Sequence, residues 1–289
     1  MHILITDSGV GGLSVVAYAE RFVRTQGLRE PVRLTFANAA PANDYGYNSM
    51  PSHEVKIATF DRFLRKVTER FAPDAIYVAC NTLSVLLPET PFRAGAAIPV
   101  RGIVETGVSL ILQALRSDPK SVAMIFATQT TIDSGTYARL LAERGIEPSR
   151  IVSQACPGLA DTISEDREGV KTAAEIRRWT GIAIEKMQHA DAPVVAALAC
   201  THYGYRKDLF AAAFDAAGIA ANVLNPNERA VDDLFEQQSE GPNRDAEVRF
   251  VTRYAIPDAT VEALTYFLSP ISPRTVAAIQ NFEHIPDLF

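Results

Sequence analysis

The chain has 289 residues, 47% of them hydrophobic, enough apolar material for one large or two modest cores. Its net charge is −6 with acidic and basic residues interspersed, so no basic stripe is available to nucleic acid. No apolar run reaches the length of a membrane helix, and three widely spaced cysteines do not make a disulfide framework, so free thiols in a cytoplasmic setting are expected.

Short apolar runs alternate with amphipathic ones, the pattern of α/β layers on mainly parallel sheets. The first run, residues 3–6, reads as a strand, since it is too short for a cleaved leader and has no charged start. A helix follows over 12–26, a strand over 33–37, a helix over 53–70 and a strand over 75–79. Residues 95–100 read as a connector to a helix over 106–116, then a strand over 121–127 and a helix over 134–144. A strand over 150–154 precedes a helix over 169–188, whose Ile176, Trp179, Ile182 and Ala183 read as a packing face. Strands over 194–198 and 221–224 flank a helix over 207–217. Residues 225–228 read as a connector and the polar stretch 236–245 as an exposed loop, before a strand over 248–254 and a helix over 259–268.

No short repeat is present, but one arrangement occurs twice. Val78-Ala79-Cys80-Asn81-Thr82 and Leu198-Ala199-Cys200-Thr201-His202 each end an apolar strand on a cysteine followed by polar residues. Two similar α/β halves would each present one cysteine just past the carboxyl end of a strand, where open α/β sheets bind ligands.

Three segments can carry chemistry. Asp7-Ser8-Gly9-Val10-Gly11-Gly12-Leu13 follows the first strand. It reads either as a carboxylate beside an anion-binding turn or as a tight strand–helix turn capped by Asp7; a nucleotide loop lacks its Gly-Lys-Ser/Thr. Cys80, with Asn81 and Thr82 beside it, is either a buried small hydrophobe or a thiolate base in a cleft; the change from apolar to polar at that residue favours the cleft. Cys200 and His202, two apart, would share one side of a strand, and a histidine there can hold or relay a proton near neutral pH. Asp7, Cys80, Cys200 and His202 could also supply four metal ligands, but no pair has a recognised zinc spacing, so no metal is expected. Cys156, before Pro157, is assigned no chemistry.

Together these segments resemble the glutamate racemases of the aspartate/glutamate racemase superfamily. Weaker similarity runs through Asp44-Tyr45-Gly46, Gly102-Ile103-Val104-Glu105 and Ala127-Thr128-Gln129-Thr130-Thr131-Ile132. The resemblance implies two similar domains, each a mainly parallel sheet flanked by helices, with the active site between them. One is discontinuous, residues 1–101 plus 223–289, and the other is 102–222. It implies cofactor-independent interconversion of L- and D-glutamate, supplying D-glutamate for peptidoglycan. Cys80 and Cys200 would be the acid/base thiols, with Cys80 acting on the D-isomer and Cys200 on the L-isomer. Asp7 would assist Cys80, and His202 would assist Cys200. Ser8, Asn81, Thr82 and Thr201 would bind the amino-acid head group. Tyr45 and Gly46 would lie near the distal carboxylate, and Thr128 and Thr131 would line the pocket. The expected partner is a small acidic amino acid, with no nucleic acid and no membrane, and a homodimer is compatible with this picture.

The chain departs from the family pattern at the distal end of that pocket. Asn38-Ala39 stands where the family usually has Gly-Asp, Ala42 replaces an arginine and Asp44 a proline. Ser164 occupies the place of a glutamate, with Glu165 adjacent, and Gly204 replaces the proline after Cys-Thr-His-Tyr. Two other functions follow from these changes: a divergent relative that racemises another amino acid, and a catalytically silent binding protein on the racemase fold. Retention of both cysteines with Asp7 and His202 counts against the second.

Overall fold

The computed structural model describes every residue except Ala190, Gln237, Glu240 and Arg244. The chain begins β1 (His2–Asp7), α1 (Leu13–Gln26), β2 (Arg33–Asn38), α2 (His53–Phe71), β3 (Ala75–Val78), α3 (Asn81–Leu86), α4 (Pro91–Gly95), β4 (Val100–Gly102) and α5 (Ile103–Ser117). It continues β5 (Val122–Ala127), α6 (Gln129–Asp133), α7 (Thr136–Glu143), β6 (Ile151–Ala155), α8 (Leu159–Glu165), α9 (Val170–Glu185), β7 (Val194–Ala199), α10 (Lys207–Ala216) and β8 (Ala221–Leu224). It closes with α11 (Pro226–Phe235), β9 (Glu247–Thr252), α12 (Asp258–Leu268), α13 (Pro273–Gln280) and β10 (Glu283–His284). Among the described residues no helix is long and apolar enough to cross a membrane.

The chain divides into two compact units. Met1–Ile103 with Asn227–Phe289 form the first, and Val104–Pro226, inserted in it, form the second. The boundaries expected at 101/102 and 222/223 therefore move to 103/104 and 226/227. The second shift has a clear cause: β8 pairs with β7 from Val194–Ala221 through Ala197–Leu224, so residues 223 and 224 belong to the sheet of the inserted unit.

The first unit holds a six-stranded sheet in the order β10-β9-β2-β1-β3-β4, parallel at every junction. Ile3, Leu4 and Ile5 of β1 are fully buried although they face alternately up and down, because helices cover both faces of a parallel sheet. α2 shows how local signals bound a helix. The Ser52 hydroxyl accepts the Val55 N–H at its start, Phe60, Phe63, Leu64 and Val67 bury one face, and Ala72 in the left-handed region (φ 43°) ends it.

The inserted unit holds a four-stranded parallel sheet in the order β6-β5-β7-β8, with β5 and β7 buried along their whole length. α9 covers it with Thr172, Ile176, Thr180 and Ala183, a helical stripe four, four and three residues apart. The face expected from Ile176, Trp179, Ile182 and Ala183 is thus rotated slightly: Trp179 packs at the margin of the core and Ile182 is half-buried.

β2-β1-β3-β4 and β6-β5-β7-β8 have the same order. In each unit the first strand lies inside, the chain steps to one side for the second strand and then crosses to the other side for the third. The carboxyl ends of the first and third strands flank that reversal, the place where open α/β sheets take ligands.

The differences from the sequence reading are mostly short pieces. α3, α4, α6 and α8 have five to seven residues, too few turns for apolar periodicity to register. The expected connector 225–228 is instead the start of α11, with Pro226 as its first residue, where a missing N–H costs nothing. α13 was likewise unexpected, and β9 stops at Thr252 rather than reaching Tyr254. The loop expected at 236–245 includes Gln237, Glu240 and Arg244, which lie outside the described residues.

Candidate active site

The predicted residues fall into two sets, one in each unit, and all but Tyr45 and Gly46 lie at the reversal of their sheet. In the first unit Asp7 is the last residue of the inner strand β1. Its backbone is held on both sides: the Ala39 N–H donates to the Asp7 carbonyl at 2.8 Å, and the Ala79 N–H donates to the Thr6 carbonyl at 2.9 Å. Cys80 therefore lies two residues past the Thr6–Val78 pairing and beside the end of β1. The Asp7 side chain is 1% exposed and fills the space beside Gly12. A Cβ at Gly12 would lie 2.9 Å from Asp7 Cβ and Oδ2, so the last glycine of the turn is there to let the carboxylate in. Asn227 holds the same turn from the far end of the chain. Its amide donates to the Ser14 hydroxyl at 2.8 Å, and that hydroxyl donates to the Gly11 carbonyl at 2.8 Å.

Cys80 is a free thiol, 4% exposed, at the start of α3. Its sulfur takes the place of a capping oxygen and accepts the Leu83 N–H at 3.4 Å. The Ser8 hydroxyl lies 3.1 Å from the sulfur and 3.5 Å from Asp7 Oδ1, so it links carboxylate and thiol. Burial, and then the Asp7 carboxylate, push the Cys80 thiol well above its ordinary value; the Ser8 hydroxyl and the Leu83 and Ser8 N–H groups pull the other way. Asn81 and Thr82 are buried beside it in α3. Tyr45 and Gly46 lie in the segment after β2, with Tyr45 in a narrow turn that pairs back to Ala42. Asp44 is exposed in that turn, as is Tyr45.

In the inserted unit Thr128 follows the inner strand β5 and caps α6. Its hydroxyl accepts the Thr131 N–H at 3.4 Å and lies 3.0 Å from the Thr131 hydroxyl. Cys200, a free thiol 6% exposed, follows β7, and Thr201 next to it is buried. His202 is half-buried, with Nδ1 4.0 Å from the sulfur. The expected route to that proximity was wrong. β7 ends at Ala199, and His202 has helical dihedrals (φ −67°, ψ −33°) as it enters the short 3-10 turn Tyr203–Arg206. A turn, not a shared strand face, brings imidazole to thiol. Tyr203 anchors the turn from below, with its hydroxyl bonded to the carbonyls of Cys156 at 3.2 Å and Ala127 at 3.4 Å. Cys156 is thus part of the support for this corner through its backbone, and burial pushes its thiol well up.

Two of the departures from the family pattern have a structural reason. A Cβ at Gly204 would lie 2.7 Å from the Asn225 amide, so any side chain there requires Asn225 to move. Asn38 accepts the Ala40 N–H at 2.9 Å and donates to the Tyr254 hydroxyl at 3.0 Å, which ties the end of β2 to the residue two past β9. Ser164 turns its hydroxyl back to the Ala160 carbonyl of its own helix at 3.0 Å. Nothing in the structure explains Ala39 or Ala42. Sequence reasoning missed Asn225, Asn227 and Tyr254, all supplied from outside the three motifs; only the return of the chain to its first sheet places Asn227 and Tyr254 here. Among the described residues no three His, Cys, Asp or Glu side chains cluster as metal ligands would.

No family model matches the chain. Its sequence is 30% identical over 234 residues to a glutamate racemase from a Nitratiruptor species, covering 81% of this chain and 83% of that one. Its fold superposes on a glutamate racemase isoform from Bacillus anthracis with a TM-score of 0.73, at 20% identity, covering 92% of this chain and 93% of that one. The crystal structure of the Francisella tularensis glutamate racemase with D-glutamate gives a TM-score of 0.71 at 23% identity, covering 93% and 94%. Two α/β units of one topology, one inserted in the other, a thiol at the reversal of each sheet and this sequence similarity have one consequence: the chain belongs to the glutamate racemase family of amino-acid isomerases.

Proposed function

We propose that this protein interconverts L- and D-glutamate by moving the α-proton between the thiols of Cys80 and Cys200, with no cofactor. The observation that carries the reading is the pair of buried free thiols at equivalent reversals of two sheets, each with its own acid/base companion: Asp7 and Ser8 at Cys80, His202 at Cys200. Racemisation needs a base on one face of Cα and an acid on the other, so both sulfurs must address the same carbon from opposite sides. Cys80 takes the proton of the D-isomer and Cys200 that of the L-isomer; the opposite thiol then returns one.

The electrostatics of Cys80 suit this role. A thiol held above its usual value is rarely ionised at rest, but its thiolate is a stronger base. The α-ammonium of a bound amino acid would offset the Asp7 charge and favour thiolate only when substrate is present. Ser8, Asn81, Thr82 and Thr201 hold the head group, Thr128 and Thr131 line the pocket, and Tyr45 and Gly46 meet the distal carboxylate. The product serves a cytoplasmic supply of D-glutamate for peptidoglycan. The decisive experiment incubates the purified enzyme with D- and L-glutamate in deuterated water. Deuterium at Cα with loss of optical rotation supports the proposal. Exchange on a neutral amino acid but not on glutamate replaces it with a divergent racemase, and no exchange on any amino acid replaces it with a silent binding protein.

A further inference from the structure

Arg206 closes the 3-10 turn that His202 opens, and none of the motif reasoning touches it. It is 8% exposed, so a guanidinium has been taken out of water at a cost that an apolar side chain of similar length would not carry. Its partners lie in the turn between α8 and α9: Nη2 donates to the Asp166 carbonyl at 2.7 Å and to the Arg167 carbonyl. That turn is built to receive it. A Cβ at Gly169, which sits at φ 81°, would lie 3.0 Å from the guanidinium carbon, so glycine both bends the chain and leaves the space open. The Asp166 carboxylate fastens the same turn to the start of α9. It accepts the Gly169 N–H at 3.1 Å, the Thr172 N–H at 2.8 Å and the Thr172 hydroxyl at 3.0 Å. The other end of the His202 turn is fixed as well. The Tyr203 N–H donates to the Cys200 carbonyl at 3.1 Å and the Tyr205 N–H to the His202 carbonyl at 3.1 Å, while the Tyr203 hydroxyl holds the carbonyls of Ala127 and Cys156. The imidazole is thus carried by a turn anchored at two points, Tyr203 and Arg206.

We propose that Arg206 is a positioning residue for His202: its grip on the Asp166 and Arg167 carbonyls fixes the turn and so keeps the imidazole at the Cys200 sulfur. The inference rests on Cys200 as a proton-transfer thiol, as proposed above. The Tyr203 anchor alone leaves the turn free to rotate about one point, and the Arg206 anchor removes that freedom. His202 Nδ1 lies 4.0 Å from the sulfur, a separation from which a small shift of the turn makes or loses the hydrogen bond. Misplacing a positioned group by about 1 Å can lower a rate by roughly 10²-fold even when the cause lies away from the chemistry.

Arg206→Met fills the space of the stem and removes the donors, whereas Arg206→Lys keeps the charge but ends one bond short of the carbonyls. The readout is the pH midpoint of Cys200 alkylation by iodoacetamide, followed on the Cys200 peptide by mass spectrometry, with Cys80 in the same samples as the control. A charged imidazole beside a thiol favours the thiolate, so its displacement raises the midpoint. The expected midpoint for Arg206→Met lies roughly one pH unit above wild type, with Arg206→Lys shifted the same way and His202→Ala at least as high as either. In the His202→Ala background Arg206→Met adds nothing, the signature of an effect that passes through His202. The Cys80 midpoint stays in place throughout. A fall in Tm with the Cys200 midpoint unmoved makes Arg206 a packing residue only and overturns the proposal. So does a wild-type midpoint in Arg206→Lys, which leaves the charge alone as the cause, or an equal shift with and without His202. Arg206→Lys carries the test where Arg206→Met fails to fold. The two readings fail separately. Normal α-proton exchange in wild type with an unshifted Cys200 midpoint in the variants sinks the role of Arg206 alone, whereas no exchange with a shifted midpoint sinks the racemase chemistry and keeps the coupling of Arg206 to His202.

Discussion

The two thiol corners are built on the same strand order and yet differ in what surrounds the sulfur. Cys80 begins a helical segment, is bound by the Leu83 N–H and the Ser8 hydroxyl, and stands close to a buried carboxylate. Cys200 enters a turn and has an imidazole nitrogen at 4.0 Å. A carboxylate raises a neighbouring thiol, whereas a neutral imidazole can accept its proton and a charged one favours the thiolate. One topology thus supports two acid/base environments, because the companions are set by the few residues after each strand and not by the sheet. A reaction that runs in both directions does not need matching corners, only one base and one acid available at each encounter.

The comparison breaks most severely when either thiol is removed. Cys80→Ser and Cys200→Ser should each lower racemisation of glutamate by roughly 10²–10⁴-fold, the usual worth of a positioned acid or base, as read by polarimetry. Wild-type turnover in either variant would leave the two-thiol mechanism without support.

Glycines test the supports of the two corners. Gly12→Ala places a Cβ 2.9 Å from Asp7 Cβ, an atom that cannot swing away without its backbone. We expect a loss of about 1–3 kcal/mol of stability, as for other overpacked sites, together with loss of activity as Asp7 shifts. Gly204→Ala meets only the end of the Asn225 side chain, so the double variant Gly204→Ala/Asn225→Ala should recover the stability lost by the single one. Urea denaturation of wild type, Gly204→Ala, Asn225→Ala and the double variant decides this, and a double variant no more stable than Gly204→Ala would contradict it.

pH separates the corners next. The folded Cys80 thiol lies above its unfolded value of about 8.5, so between the two values the folded state keeps a proton that the unfolded state has lost. Stability therefore is intact below about pH 8.5 and falls as pH rises beyond it, by up to about 1.4 kcal/mol per pH unit for one such group. Cys80→Ala should show a shallower alkaline decline in denaturation midpoint than wild type, although buried Cys156 leaves a residual slope. Activity has the opposite sign: kcat/KM should climb with pH through neutrality as the thiolate becomes populated.

The smallest effect belongs to Asp44. It is exposed in the turn before Tyr45, so Asp44→Asn should change kcat/KM for glutamate by less than about twofold, as for surface charges in general. A marked gain on glutamate, with none on glutamine, would place the carboxylate at the substrate after all.

Much of this architecture was legible from local pattern. The long strands and helices announce themselves because a parallel sheet buries both faces of its strands and each covering helix shows one apolar stripe over several turns. The thiols were legible for a related reason: the change from apolar to polar at Cys80 and at Cys200 marks where a strand leaves the core. Short helices such as α3 and α6 were not, since they are set by single caps at Cys80 and Thr128 rather than by periodicity.

Tertiary structure alone decided which distant residues complete each corner. Asn227 reaches Ser14 from α11, where the chain returns to the first unit, and Tyr254 reaches Asn38 because β9 pairs with β2 in parallel register. Asn225 meets Gly204 because β8 ends beside β7. Local sequence records the free energy of taking a segment out of water, and so it determined which residues form strands, helices and thiol-bearing ends. Contacts between segments far apart in the chain depend on how sheets are ordered and which side chains then fill the same space, and no periodicity within one segment carries that information.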